Sequence, residues 1–404
     1  NDPQNLAARP ARGGTKYSVH RAHRGHLKNV MAHRMGSGVD GLAVMVSTRV
    51  AAMAEKETGV IMMEKIRVGI VGTGFMAVAH IRAYQQVDGV EIAALCNPSG
   101  RHLDGDFSDV HGNVGSDEPV KIDMTHIAAY RSLDELLADD SIDLIDLTTP
   151  TFLHREQSLA ALASGKHVLC EKPLARTGEE AREIAAAAQS AKGFFMPAMC
   201  LRFWPEWVWV KEAIDDGRYG RVLSARFRRV AEAPAWGQST FLDGKKSGGA
   251  LLDLHIHDAD FVRFCFGGPK SIYAQGHSKV SGVIDHVLAQ YEVDCGAAVS
   301  AEGSWAMAEG FGFSMEYTVN FERATADFDN TREKDCLKLF EKNKEPETLK
   351  LNAPDGYAGQ IAYFANCIGQ GNAPSTVTAA DGVGSVELCE AAGRSIETGE
   401  IVTL

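Results

Sequence analysis

Lys172 stands between Glu171 and Pro173, and Asp253 and His257 lie four residues apart, just after Gly248-Gly249. An ammonium can stabilise alkoxide character on a hydroxyl carbon. An imidazole with an unperturbed pKa of about 6.5 can take or give the hydroxyl proton at neutral pH. A carboxylate one helical turn away can orient the ring or a substrate. Upstream, Gly72-Thr73-Gly74-Phe75-Met76-Ala77 follows the Gly-x-Gly-x-x-Ala pattern. In such a turn the first glycine allows the tight bend, the second lets backbone approach a pyrophosphate, and the small third residue lets helix pack on sheet. The N–H groups at the helix start, around Phe75 and Met76, would face the phosphates. Together these are the parts needed to move a hydride to or from a dinucleotide.

Other residues fill in the same site. The end of the second strand, where an acid would hold a ribose 2′-hydroxyl, carries Asn97-Pro98-Ser99-Gly100-Arg101. Asn97 would not repel a 2′-phosphate, and Ser99 or Arg101 could hold one, so the cofactor reading leans to NADP over NAD. His154 follows the third clear strand and could border the nicotinamide, Lys172 after the fourth could hydrogen-bond the nicotinamide ribose, and Thr149, Pro150 and Glu171 are further candidate cofactor contacts. Arg202, Trp204 and Trp236 could contact a sugar, the rings stacking on its apolar face. His255-Ile256-His257 with Asp253 and Asp258 has the composition of a metal cluster. On a helix, however, residues 255 and 257 point about 200° apart, so no metal site is expected.

The elements that would position these groups follow from hydrophobic runs and their punctuation. Strands are expected at Ile66–Val71, Val90–Cys96, Ile142–Leu147, His167–Cys170 and Phe194–Leu201. Helices are expected at Phe75–Val87, from Ser132 onward, at Leu153–Ser164 and at Gly178–Ala191. This alternation indicates βαβ units and a parallel sheet. Past about residue 200 the pattern changes. Trp207–Asp216 and Gly248–Phe266 read as helices and Val222–Val230 as a strand. Long alternating runs follow at Asp285–Val293, Ala297–Ala306 and Phe313–Phe328, then helices at Gly356–Ile368 and Ala379–Ile396. Long strands without intervening helices suggest an antiparallel or mixed sheet. The expected fold class is α/β, with a dinucleotide-binding domain over 62–200 and a substrate-binding and oligomerisation domain over 201–404.

The 404 residues can support two cores. Residues 1–61 hold nine Lys/Arg against four Asp/Glu, leaving the rest of the chain at a net −17. They lack helical or strand periodicity and are read as an unstructured leader, with Met62-Met63 as the natural start. An acidic body argues against nucleic acid or an anionic membrane as partner. No apolar run reaches 18 residues, so no membrane span is expected. Eight scattered cysteines without a Cys-x-x-Cys pair suggest reduced thiols and a cytoplasmic setting.

Taken with their order, these motifs resemble the Gfo/Idh/MocA family of NAD(P)-dependent oxidoreductases. The resemblance rests on Val68-Gly69-Ile70-Val71-Gly72-Thr73-Gly74, Thr149-Pro150 with His154, Gly165 through Ala175 around Glu171-Lys172-Pro173, and Gly248 through Asp253 with His257. It implies a Rossmann domain followed by an α/β domain with an open, mostly antiparallel sheet. It implies oxidation or reduction of a sugar, polyol or related hydroxyl compound, with Lys172, Asp253 and His257 as catalytic trio. It also implies a homodimer or homotetramer paired through the open sheet face. Asn97 departs from the acid many NAD-using members carry. A cofactor-sensing regulator on the same fold, or an NAD-assisted glycoside hydrolase or eliminase, stands as the alternative.

Overall fold

The structure, a computed structural model, describes residues 65–112, 118–234 and 238–404. Residues 1–61 and Trp236 lie outside the described residues.

Six short apolar segments build the first sheet: β1 (Ile66–Val71), β2 (Val90–Cys96), β3 (Ala128–Tyr130), β4 (Leu144–Leu147), β5 (His167–Glu171) and β6 (Phe195–Ala198). Their order is β3-β2-β1-β4-β5-β6, and every pairing is parallel. This is the doubly wound arrangement, whose direction reverses between β1 and β4. The connecting helices are α1 (Phe75–Tyr84), α2 (Leu133–Leu137), α3 (His154–Ala163) and α4 (Gly178–Ser190). Because all strands run the same way, Gly72, Asn97, Thr149 and Lys172 all lie at or just past strand ends on one edge of the sheet.

After α5 (Pro205–Asp215) comes β7 (Val222–Glu232), followed by four helical segments: α6 (Gln238–Phe241), α7 (Gly244–Ser247), α8 (Gly249–Asp253) and α9 (Ile256–Phe266). Strands β8 (Ser271–His277), β9 (His286–Glu292), β10 (Ala298–Met307), β11 (Phe313–Phe321), β12 (Ala324–Asp329), β13 (Leu337–Glu341), β14 (Glu347–Thr348) and β15 (Val402–Thr403) complete a nine-stranded sheet. Only the β7–β10 pairing is parallel; the others are antiparallel. Its inner face packs Phe227, Tyr317 and Phe328 around Trp207 of α5, with Phe261 of α9 set edge-on at 4.7 Å.

The last helices, α10 (Gly356–Gln370) and α11 (Ala379–Thr398), return to the first sheet. Ala358, Ile361 and Phe364 of α10 share a core with Val68, Ile70, Ala77 and Ile81. Gly382 of α11 sits against Leu174 and Pro197. The strands thus divide near residue 200, while the core of the first sheet borrows from the chain's end.

Three expected elements differ. Phe313–Phe328 is a hairpin, because the N–H groups of Glu322 and Arg323 turn aside to the Arg221 and Tyr219 carbonyls, at 3.1 Å each. The fifth strand stops at Ala198 and tightens into a 3₁₀ turn over Cys200–Phe203. Gly248–Phe266 is two helices, broken at Leu254–His255. There the His255 N–H reaches back five residues to the Ala250 carbonyl at 2.8 Å, and its buried ring meets the Tyr291 hydroxyl at 2.9 Å.

Candidate active site

The turn after β1 is shaped for a dinucleotide. Gly72 has φ +93°, and a Cβ there would come 2.9 Å from the Thr148 carbonyl oxygen, so only glycine fits. The Thr148 hydroxyl fastens this close approach by donating to the Val71 and Gly72 carbonyls, at 3.0 and 3.2 Å. Gly74 begins α1 in extended conformation, and a Cβ there would enter open space. Among the described residues no side chain caps α1, and no acid stands in its first turn. An unfilled space over the positive end of a helix dipole fits a pyrophosphate. Phe75 and Met76 stand at that end. Trp204, Phe75 and Tyr357 line a neighbouring cavity of about 350 Å³.

At the end of β2 the Asn97 amide is committed to the protein. Its Nδ2 donates to the Thr73 hydroxyl and to the Arg101 carbonyl, and its Oδ1 accepts from the Ser99 N–H at 3.0 Å and hydroxyl at 2.9 Å. Asn97 therefore folds the 97–101 loop onto the glycine turn. The exposed Arg101 side chain lies 3.6 Å from Asp109.

The structure brings Lys172, just past β5, against Asp253 at the end of α8, four residues before His257 of α9. Lys172 Nζ donates to the Asp253 carbonyl at 2.8 Å and contacts its Oδ1 at 3.3 Å. Both side chains are mostly buried, 12% and 15% exposed. His257 has its pKa held well below the ordinary value, first by desolvation and then by the positive charges of Lys172 and Arg229. Its ring is therefore neutral at physiological pH and able to accept a proton. Asp253 was a candidate to orient the imidazole or the substrate; the contact it makes is with the ammonium. The space at Gly248-Gly249 is taken up by the protein itself. A Cβ on Gly249 would run into the Ile284 carbonyl.

Several expected contacts turn inward. Glu171 does not face the cofactor: Oε1 meets His80 Nε2 at 3.0 Å, and Oε2 accepts the Lys172 N–H at 3.2 Å. His154 is fully buried between the Thr149 and Pro173 carbonyls, 2.7 Å from each, so it ties the loop after β4 to the loop after β5. Thr149 spends its hydroxyl on Gln157 at 2.5 Å, while Pro150 beside it is exposed. Arg202 is not offered to a sugar. Its buried guanidinium grips Asp260 at 2.8 and 2.7 Å, donates to the Thr376 carbonyl and pairs with Asp381. Asp258 and His255 are likewise engaged, by Arg229 and Tyr291.

Two residues of the site escaped the sequence reading. Arg229 of β7, whose charge reaches His257, is bonded to Asp258 at 3.0 Å. Strand parity puts it in register with inward-facing Ala225 and Phe227, a signal that was available. His80 of α1 bridges Asp146 (2.7 Å) and Glu171 (3.0 Å), and Tyr84 also donates to Asp146. Burial alone would lower the His80 pKa, but Asp146 and then Glu171 outweigh it and hold the ring near about 10. A buried imidazolium thus links the dinucleotide helix to the backbone of Lys172.

Comparison with known proteins identifies the two domains. Residues 66–199 match the model of an oxidoreductase family with an NAD-binding Rossmann fold, and residues 207–327 match the GFO/IDH/MocA C-terminal domain. The chain is 32% identical over 277 residues to 1,5-anhydro-D-fructose reductase of Ensifer adhaerens, covering 67% of this chain and 82% of that protein. It is 27% identical over 222 residues to an NADP(+)-dependent scyllo-inositol 2-dehydrogenase of Bacillus subtilis, covering 54% of this chain and 63% of that protein. A levoglucosan dehydrogenase solved with NADH and L-sorbose superposes with a TM-score of 0.71 at 22% identity, over 84% of this chain and 99% of that one. The chain belongs to the Gfo/Idh/MocA family of NAD(P)-dependent oxidoreductases.

Proposed function

We propose that this protein interconverts a hydroxyl and a carbonyl on a sugar, polyol or related compound, with NADP as preferred cofactor. The observation that carries the reading is the meeting of Lys172 with Asp253 beside a neutral His257. A bound nicotinamide supplies the acceptor or donor of the hydride. Gly72, Gly74 and the start of α1 hold its pyrophosphate. Lys172 has three N–H donors and gives two to Asp253, keeping one for the substrate oxygen, where it stabilises the developing alkoxide. His257 removes the hydroxyl proton in oxidation and returns it in reduction. Asp253 fixes the ammonium and borders the substrate.

NADP is favoured because no carboxylate occupies position 97 and the Asn97 amide is already engaged. The substrate class is supported by the relatives, named a 1,5-anhydro-D-fructose reductase and a scyllo-inositol 2-dehydrogenase, the latter an NADP(+) enzyme. A homodimer or homotetramer across the outer face of the nine-stranded sheet is the expected assembly. That face carries the exposed Arg226, Leu288 and Gln290. Cytoplasmic placement accords with eight free thiols.

The test is a panel of sugars and polyols offered to the purified full chain with each cofactor, read by nicotinamide absorbance. Turnover with at least one polyhydroxy compound is expected. Tight cofactor binding with no turnover on any of them, in either direction, would favour the sensing role instead.

A further inference from the structure

The carboxyl end of β2 is where a dinucleotide's adenosine ribose rests, so the groups there decide between a 2′-hydroxyl and a 2′-phosphate. The three candidates nearest in sequence are committed elsewhere. Asn97 uses both ends of its amide on the 97–101 loop and Thr73. The Ser99 hydroxyl donates its proton to Asn97 Oδ1 at 2.9 Å. Arg101 leans 3.6 Å from Asp109.

A second cation reaches the same place from another strand. β3 pairs with β2 so that Tyr130 lies opposite Cys96, and the Asn97 N–H donates to the Tyr130 carbonyl at 3.0 Å. Arg131 is the next residue. Its guanidinium lies across Gly100: a Cβ there would come within 2.7 Å of Cζ and 3.1 Å of Nε. Gly100, at φ +76°, makes room for it. Arg131 is exposed and, among the described residues, has no carboxylate within 4.0 Å. Glu135 of α2, whose charge reaches Cys96 and Tyr130, makes no ion pair with it.

We propose that Arg131 is the residue that selects NADP, its planar guanidinium receiving the 2′-phosphate of the adenosine ribose. The fork of N–H donors suits a phosphate better than a point charge would. The cation comes from the end of β3 and not from the loop after β2. This inference rests on the dinucleotide reading given above and deepens its cofactor preference.

The experiment is calorimetric titration of the full chain with NADPH, NADH, 2′,5′-ADP and 5′-AMP, which needs no knowledge of the substrate. The unaltered protein should bind NADPH more tightly than NADH. Arg131→Ala should weaken NADPH and 2′,5′-ADP by roughly 10–100-fold, the size of a charge-assisted pair, and move NADH and 5′-AMP by less than about twofold. Arg101→Ala should change NADPH by less than about threefold, as expected of an exposed cation already beside a carboxylate. Arg131→Lys should recover only part of the loss, because the fork is gone. Unchanged NADPH affinity in Arg131→Ala would overturn the assignment. Equal weakening of both cofactors would also overturn it, since the side chain would then serve the adenine. Failure of the unaltered protein to bind any dinucleotide would defeat the underlying reading itself, before any variant is compared.

Discussion

Lys172 and His257 stand in different electrostatic positions, and each gives a separate expectation. Removing the ammonium in Lys172→Ala should lower kcat by about 10²–10³-fold, as when one transition-state donor is lost, with little change in cofactor Kd. Steady-state kinetics beside cofactor titration checks both halves. The imidazole's pKa is depressed by burial and by the Lys172 and Arg229 charges. In the oxidation direction the acid limb of kcat/KM should therefore lie below the ordinary histidine value of about 6.5. Lys172→Met removes one of the two cations, so His257 should titrate at higher pH, measurable by NMR of labelled histidine. The same shift bears on stability. The folded ring resists protonation and the unfolded ring does not, so the unfolded state binds more protons below about 6.5. Stability contributed by His257 is complete above that pH and declines as pH falls towards the folded pKa. His255, lowered to about 3 by burial and then by Arg229 and His286, adds to the decline.

At the scale of elements, the two glycines after β1 separate folding from binding. Gly72→Ala puts a Cβ 2.9 Å from the Thr148 carbonyl at φ +93°, and should cost about 1–3 kcal/mol of stability. Gly74→Ala meets nothing within 4 Å and needs no unusual backbone. It should melt near the parent temperature yet lose cofactor affinity, because the methyl occupies the pyrophosphate's place. Thermal melts paired with NADPH titration distinguish the two. These glycines were legible because the turn's chemistry is written in consecutive residues. Lys172 was legible for a related reason: a short apolar strand ends directly before it. The break between α8 and α9 was not legible, since Leu254, His255 and Ile256 can all continue a helix. What interrupts them comes from distant strands: Tyr291 takes the His255 ring, and a Cβ on Gly303 would come 2.6 Å from the His255 Cβ. Arg131 was hidden likewise, because its place depends on β3 lying next to β2.

Across the whole molecule, Arg202 shows how the pieces are joined. From the 3₁₀ turn after β6 it reaches Asp260 of α9, Asp381 of α11 and the Thr376 carbonyl. Residue type alone suggested a sugar contact, whereas the buried partners make it a clasp between distant parts of the chain. Arg202→Ala leaves Asp260 buried without its cation and should cost about 3–5 kcal/mol, seen in denaturant unfolding, with the remaining folded protein still binding cofactor. The clasp helps hold α9, and so His257, in place opposite β5 and Lys172. The central claim is that those two side chains serve one nicotinamide. The most direct measurement is a crystal structure of the full chain with NADPH and a polyol bound. The account predicts Lys172 Nζ and a His257 ring nitrogen each within about 2.6–3.2 Å of the same substrate oxygen, beside the nicotinamide. A nicotinamide lying elsewhere, with the Lys172–Asp253 pair closed over and no substrate oxygen reaching either group, would contradict it.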